Sequence, residues 1–269
     1  TPGHSERSVA ERAAHCHATL GVNSTSSETS KPEFTDETRA MKKRIAIILL
    51  SLLWQLVSAN QVVVLLHGLA RTADSMEPLE AALEVEGYEV LNIEYESRKA
   101  PVQALAKTIR KQIMTATRDA SKVHFVTHSM GGIIVRQIQT SAPIPNLGRV
   151  VMLSPPNHGS EVVDKIGSTW FFKKLNGPAG QQLGTHPDGF INQLGPVKFE
   201  LGILTGDRSI NWINSIMIPG EDDGKVSTAS AKIERMQAYK VLHVTHPMIM
   251  KDTEAIEETL HFIQTGRFK

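Results

Sequence analysis

Short apolar runs alternate with amphipathic segments along most of this chain. The runs are rich in Val, Ile and Leu and predict strands, over residues 62–66, 89–95, 122–126, 149–153, 199–205 and 239–244. Segments with a helical spacing of apolar positions lie between them, over residues 76–86, 133–140 and 253–264 and in the stretch that begins at 101. This alternation predicts an α/β fold, a mostly parallel sheet covered by helices on both faces. Catalytic groups in such a sheet gather at the carboxyl ends of its strands.

Local signals predict several of the helix ends. Ser75 is a suitable N-cap for the helix over 76–86, and Gly87 is placed to end it. Pro101 suits the first turn of the next helix. The apolar positions of that helix recur on one face: Val102, Leu105, Ile109 and Ile113.

The first 59 residues differ from the rest of the chain. Residues 1–40 are polar and rich in Ser, Thr and Glu, which predicts disorder. A positive cluster at 42–44, a short apolar run and small residues ending at Ala59 then form the three parts of a secretory signal peptide. The apolar run is short for a membrane span, which needs about 20 residues.

The sequence therefore predicts a signal peptide over residues 41–59, with Met41 as the start of translation and 1–40 as upstream sequence. A folded domain is expected over residues 60–269. The expected location is periplasmic or extracellular, and an uncleaved signal peptide would instead leave the protein anchored in a membrane.

Composition narrows the class of protein. With 269 residues, 41% hydrophobic and 21% charged, the chain can bury the core of one domain and still carry an extension. A formal net charge of +1 and an aromatic content of 5% give no basis for a nucleic-acid partner. The single cysteine, Cys16, lies in the segment expected to be disordered, so neither a disulfide nor a cysteine-bound metal is predicted.

The candidate nucleophile lies where an apolar strand stops abruptly. Residues 125–132 read Phe-Val-Thr-His-Ser-Met-Gly-Gly, which places Ser129 on the tight turn between a strand and a helix. A serine there projects its hydroxyl above the sheet edge, beside the backbone N–H groups that begin the helix. A strand that ends in a serine helix cap is the alternative interpretation.

This segment resembles the nucleophile elbow of α/β-hydrolases, whose pattern is G-x-S-x-G. Thr127 replaces the first glycine of the pattern, whereas Gly131 and Gly132 are present. The flanking positions are small because the strand and helix backbones approach closely. Thr127 adds a methyl and a hydroxyl group to that contact and departs from the family pattern.

The end of the first strand resembles the oxyanion loop of lipases and esterases. His67-Gly68 matches the H-G of that loop. The resemblance implies that the N–H groups of Leu69 and Met130 hold the oxyanion. The His67 side chain is expected to stabilise its loop by hydrogen bonds.

The acid is placed by a second resemblance. Residues 219–226 contain Asp223-Gly224-Lys225-Val226, which resembles the D-G-x-V segment that carries the acid in bacterial lipases. Asp222 is one position out of register. Asp207 remains an alternative because it directly follows a predicted strand, and many α/β-hydrolases carry their acid there.

Two late histidines compete for the role of base. His243 is expected within the last strand, whereas His246 lies beyond it on the loop before the closing helix. The family places its base on that loop, so His246 is favoured, and His128 is expected to pack beside the nucleophile. The order Ser129, Asp223, His246 is that of α/β-hydrolases.

The combined resemblance covers residues 62–268 and is to a small bacterial lipase or esterase, of the compact type that lacks the first two strands. It implies a secreted serine hydrolase of carboxylic or lipid esters, and an acyltransferase could use the same residues. A non-catalytic lipid- or partner-binding protein is the alternative that Thr127 motivates. No cofactor or metal site is predicted, since neither H-E-x-x-H nor paired cysteines occur.

Residues 154–198 separate two predicted strands by an unusual length and contain Trp170-Phe171-Phe172. A cap or lid that binds acyl chains and transiently contacts a lipid surface is one interpretation. An aromatic cluster in the core of the domain is the other.

Overall fold

The computed structural model describes residues 38–48, 60–209 and 218–269. Residues 1–37 of the predicted disordered segment and residues 49–59 of the predicted signal peptide lie outside the described residues. Residues 38–48 form a helix, α1. No helix within the described ranges has both the length and the apolar character needed to cross a membrane.

A six-stranded parallel sheet forms the centre of the domain, with strand order β2-β1-β3-β4-β5-β6. Its strands are β1 (Gln61–Leu66), β2 (Glu89–Ile93), β3 (Lys122–His128), β4 (Leu147–Leu153), β5 (Leu201–Gly206) and β6 (Ala238–Leu242). The predicted parallel α/β sheet is confirmed. The interior strands β3 and β5 are buried almost throughout, as expected of strands covered on both faces.

The helices that follow α1 are short or medium in length. They are α2 (Glu77–Val85), α3 (Val102–Ala116), α4 (Met130–Ser141), α5 (Glu161–Ile166), α6 (Trp170–Gln181), α7 (Phe190–Gln193), α8 (Thr228–Ala231) and α9 (Thr253–Thr265). Single 3₁₀ turns occur at Ala73–Met76 and Ile249–Lys251.

Helices cover both faces of the sheet. The buried face of α3 carries Val102, Leu105, Ile109 and Ile113, as predicted, and packs with α4 on one side. On the other side α2 and α9 share a core through Leu79, Leu83 and Phe262. Because neighbouring strands are all parallel, their carboxyl ends lie at the same edge of the sheet.

Two local predictions are wrong. Ser75 does not cap α2: a 3₁₀ turn runs directly into the helix, Met76 is the N-cap, and the Ser75 hydroxyl donates to the Thr72 carbonyl at 2.7 Å. His243 does not lie within the last strand. β6 ends at Leu242, where the Val244 amide turns back to donate to the Leu242 carbonyl at 2.8 Å.

Candidate active site

Ser129 occupies a strained turn between β3 and α4. Its φ and ψ are 53° and −121°, a conformation that non-glycine residues rarely adopt, and its amide donates to the Leu153 carbonyl at 2.8 Å. Such backbone strain costs about 1–3 kcal/mol and persists where the surrounding packing enforces it. The sharp turn leaves the Ser129 side chain on the wall of a cavity.

Close backbone packing explains the glycines around this turn. A Cβ on Gly131 would lie 2.5 Å from the Leu66 carbonyl oxygen. On Gly68 it would lie 2.7 Å from His128 Nδ1 and 3.2 Å from Ser129 Cβ. The loop at Gly68 therefore lies too close to Ser129 and His128, and the start of α4 too close to the end of β1, for a residue larger than glycine at either position.

The departure from the family pattern is accommodated inside the sheet. Thr127 is fully buried in β3, opposite Leu66 on one side and Met152 on the other. Its hydroxyl has no hydrogen-bond partner among the described residues. Thr127 therefore fits the space at the elbow but leaves a buried polar group unsatisfied.

His67 stabilises the loop that follows β1 rather than facing the cavity. Its Nδ1 donates to the Gly68 carbonyl at 2.9 Å, its Nε2 accepts from the Tyr95 amide at 3.4 Å, and its ring stacks on Tyr95 with centroids 4.0 Å apart. The Tyr95 hydroxyl donates to the His67 carbonyl. Burial lowers the pKa of His67, so the ring is neutral and serves to hold the loop.

The two predicted oxyanion donors are the amides of Leu69 and Met130. Leu69 lines the same cavity as Ser129. Met130 is the first residue of α4, where backbone N–H groups have no carbonyl partner within the helix and the helix dipole is positive. Their role as oxyanion donors stays a prediction.

Asp223 and His246 form a buried pair. Asp223 Oδ2 lies 2.8 Å from His246 Nδ1, and Asp223 Oδ1 accepts from the amides of Lys225 and Val226 at 3.0 and 2.9 Å. Burial opposes ionisation of Asp223, yet its contacts with His246 and the Val226 amide hold the pKa of this carboxyl below its ordinary value. Asp223 is therefore a carboxylate that orients the His246 imidazole through Nδ1, so His246 Nε2 is not used in this contact.

The alternative acid and base form a separate pair. Asp207 Oδ1 lies 2.9 Å from Nδ1 of His243, whose side chain is 78% exposed. No hydrogen bond or ion pair joins His243 to Ser129 or Asp223. Asp222 uses its Oδ1 to accept from the Gly224 amide at 2.7 Å, which closes the turn that carries Asp223.

The sequence places His128 beside the candidate nucleophile, and in the structure its ring packs against that of His246. The two rings lie 4.7 Å apart, and His128 Nε2 donates to the His246 carbonyl at 3.1 Å. Burial, together with the nearby His246, lowers the pKa of His128 well below its ordinary value. His128 is therefore neutral, and its hydrogen bond helps to position the loop that carries His246.

A cavity of about 360 Å³ brings these groups together, with Ser129, His128 and His246 in its wall. Residues 154–198 supply much of the apolar wall through Val162, Val163, Phe172, Leu175 and Leu183. The aromatic run therefore divides: Phe172 faces the cavity, whereas Trp170 and Phe171 are 71% and 68% exposed. Neither exposed ring belongs to the core of the domain.

Sequence reasoning missed two cations in this cavity, Arg71 and Lys225. Their positions in the sequence could have indicated them, because Arg71 follows Leu69 by two residues and Lys225 follows Asp223 by two. Within residues 38–48, 60–209 and 218–269, no group of three or more His, Cys, Asp or Glu side chains is arranged to hold a metal ion.

No protein-family model and no curated protein matches the chain, but solved structures do. The mature form of a Bacillus licheniformis lipase matches with a TM-score of 0.62 at 20% identity, over 76% of this chain and 92% of the lipase. A metagenomic carboxyl esterase matches with a TM-score of 0.56 at 16% identity, over 71% of this chain and 66% of that one. An esterase from a Rhodococcus species matches with a TM-score of 0.51 at 15% identity, over 77% of this chain and 92% of that one. At these identities the likeness shows a shared fold.

Proposed function

We propose that this chain, which has the α/β-hydrolase fold that these solved structures share, is a serine hydrolase of carboxylic esters. The single observation that carries the proposal is the convergence of Ser129 and the Asp223–His246 pair on one cavity. Three loops far apart in sequence contribute these groups, and acyl transfer by a serine requires a histidine base that a third group orients, as Asp223 orients His246. The lipase and esterase names of the structural neighbours agree with this reaction class.

The proposed reaction proceeds through an acyl-enzyme. Ser129 Oγ attacks the ester carbonyl carbon while His246 Nε2 takes its proton, and Asp223 stabilises the imidazolium that forms. The amides of Leu69 and Met130 hydrogen-bond the developing oxyanion. The tetrahedral intermediate then collapses and breaks the bond between the carbonyl carbon and the alcohol oxygen, which receives the proton from His246. Water next attacks the carbonyl carbon of the acyl-enzyme while His246 takes its proton. The carboxylic acid is released when the serine oxygen leaves and receives that proton from His246.

We further propose that residues 154–198 form a cap that binds the acyl chain. Its apolar side chains Val162, Val163 and Leu183 form a wall beside the nucleophile, which suits a hydrocarbon chain. The exposed Trp170 and Phe171 lie on the same segment and suit transient contact with a lipid surface. This arrangement favours lipid esters as substrates.

Secretion is part of the same proposal. The signal-peptide pattern over residues 41–59 would direct the domain to the periplasm or the exterior, where lipid esters are accessible. Mass spectrometry of the mature protein from the exported fraction would give a new N-terminus at Asn60. An N-terminus at or before Met41 would contradict cleavage.

The experiment that tests the function compares the full chain with Ser129→Ala on 4-nitrophenyl butanoate and 4-nitrophenyl dodecanoate. Loss of the nucleophile is expected to lower kcat by at least about 10³-fold, since the hydroxyl makes the covalent bond. Ser141→Ala is the matched control, because this serine lies on the same helix and its hydroxyl donates to the Gln137 carbonyl at 2.8 Å. Equal activity in Ser129→Ala and the parent chain would remove Ser129 as the nucleophile.

A further inference from the structure

The charge of the cavity is one-sided. Arg71 and Lys225 line it together with Ser129 and His246, and none of the described residues in its wall is an aspartate or a glutamate. The rest of the wall is mainly apolar. A ligand that fills this cavity therefore meets two cations and a hydrocarbon surface.

Both cations are carried by the loops of the candidate active site. The Arg71 amide donates to the Gly68 carbonyl at 3.3 Å, which closes the oxyanion loop. The Lys225 amide donates to Asp223 Oδ1 at 3.0 Å, and its carbonyl accepts from the Ser160 hydroxyl at 2.8 Å. The backbones of both residues are thus fixed relative to the acid and the oxyanion loop.

Neither side chain is neutralised within the described part of the chain. Other cations are paired: Lys240 contacts Glu254 and Glu258 at 2.9 and 2.7 Å, and Arg149 contacts Glu200 at 2.9 Å. No described carboxylate forms an ion pair with the Arg71 or Lys225 side chain. These two charges are available to a ligand.

The two cations also act on each other. Loss of hydration and the positive charge of Arg71 lower the pKa of Lys225, while Asp223 acts in the opposite direction. Asp223 is already bound to His246 and two amides and offers little compensation. An anion held near both side chains would relieve their repulsion, with strength set by its distance and by salt.

We propose that the preferred substrates are carboxylic esters whose alcohol portion carries an anionic group, a phosphate or a carboxylate, bound by Arg71 and Lys225. This inference rests on the proposed ester hydrolysis. The acyl chain occupies the apolar wall formed by the cap, so the alcohol portion faces the polar side of the cavity. The alcohol leaves with its anionic group after the proton from His246 reaches its oxygen.

The test uses two chromogenic esters with the same acyl chain, 4-nitrophenyl butanoate and 3-carboxy-4-nitrophenyl butanoate. The second carries its anion on the alcohol side. The measured quantity is the ratio of kcat/KM for the anionic ester to that for the neutral ester, in low salt at pH 8. We expect a ratio above one for the full chain, and a fall toward one as sodium chloride is added.

Substitution of the two cations should change this ratio. Each of Arg71→Gln and Lys225→Gln is expected to lower it about fivefold, and the double variant about twentyfold or more. Reversal of both charges, Arg71→Glu with Lys225→Glu, should bring the ratio below one. Lys107→Gln with Lys111→Gln is the matched control, because these exposed lysines lie on α3 outside the cavity.

A third ester distinguishes the side of the bond that carries the anion. The 4-nitrophenyl monoester of succinic acid carries its carboxylate on the acyl side, and a preference for it over the alcohol-side anion would contradict the proposal. Circular dichroism melts confirm that each variant is folded. If the double and charge-reversed variants keep the ratio of the parent chain, this inference is overturned. The proposed function stays intact in that case, provided that Ser129→Ala abolishes hydrolysis. Absence of hydrolysis of every ester overturns both.

Discussion

His246 and Asp223 are joined by two hydrogen bonds. His246 Nδ1 lies 2.8 Å from Asp223 Oδ2, and the His246 backbone amide donates to the Asp223 carbonyl at 2.9 Å. Main chain and side chain therefore fix the same pair of residues. The orientation of the His246 imidazole is set by the loop that carries Asp223.

Asp223→Asn is expected to lower kcat by about 10³- to 10⁴-fold, because an amide can favour the wrong imidazole tautomer while the geometry is kept. The measurement is kcat and KM with 4-nitrophenyl butanoate. Asp207→Asn is the matched control, since Asp207 pairs with the exposed His243, and a change within about twofold is expected. A larger loss in Asp207→Asn than in Asp223→Asn would reassign the acid.

Thr127→Val is expected to stabilise the fold by about 1 kcal/mol, because it removes a buried hydroxyl that has no partner among the described residues. Chemical denaturation gives the free energy of unfolding. In the control Thr259→Val the lost hydroxyl donates to the Ala255 carbonyl at 2.7 Å, so a loss of about 1 kcal/mol is expected. Equal losses in both variants would show that the Thr127 hydroxyl is satisfied.

Acid should destabilise the protein through its buried histidines. Burial, with the charges of Arg149 and Lys122, lowers the pKa of His124 from 6.5 to about 4. Between these values the unfolded chain binds more protons than the folded one, so the free energy of unfolding falls as pH decreases from about 6.5 to about 4. The loss from His124 is on the order of 3 kcal/mol, and burial lowers the pKa of His67 and His128 in the same direction.

His124→Asn tests this origin. The Asn side chain can still accept from the Arg149 amide, which now donates to His124 Nδ1 at 2.9 Å. Urea denaturation between pH 4.5 and pH 7 should give a shallower pH slope for this variant. His158→Asn, at an exposed position, should keep the original slope. Identical slopes in His124→Asn and the parent chain would assign the acid sensitivity to other groups.

Trp170→Ala combined with Phe171→Ala is expected to lower the rate on an emulsified long-chain ester about five- to tenfold relative to a soluble short-chain ester. Each exposed ring would otherwise bury apolar surface in the lipid. The measured quantity is the ratio of the two rates. Val85→Ala is the control, because Val85 is 86% exposed but lies on α2, away from the cap. The same ratio in the double variant and the parent chain would exclude lipid contact by these rings.

The sequence predicted the parallel α/β sheet because each strand is a compact apolar run, and such runs are characteristic of strands buried on both faces. It also identified the loops that carry Ser129, Asp223 and His246. Their flanking patterns are local, and all three loops follow strands or lie at the sheet edge. Weaker local signals failed at Ser75 and His243, where a 3₁₀ turn and a tight turn replaced the expected cap and strand end.

Only the tertiary structure shows which imidazole each candidate acid contacts, His246 for Asp223 and His243 for Asp207, because both acids follow plausible sequence signals. It also divided the aromatic run, with Phe172 in the cavity wall and Trp170 and Phe171 exposed. The presence of Arg71 and Lys225 in one cavity could not be predicted from the sequence either, since 154 positions separate them in the chain. Local pattern determines elements and turns, whereas contacts between distant loops exist only once the sheet has brought those loops to one edge.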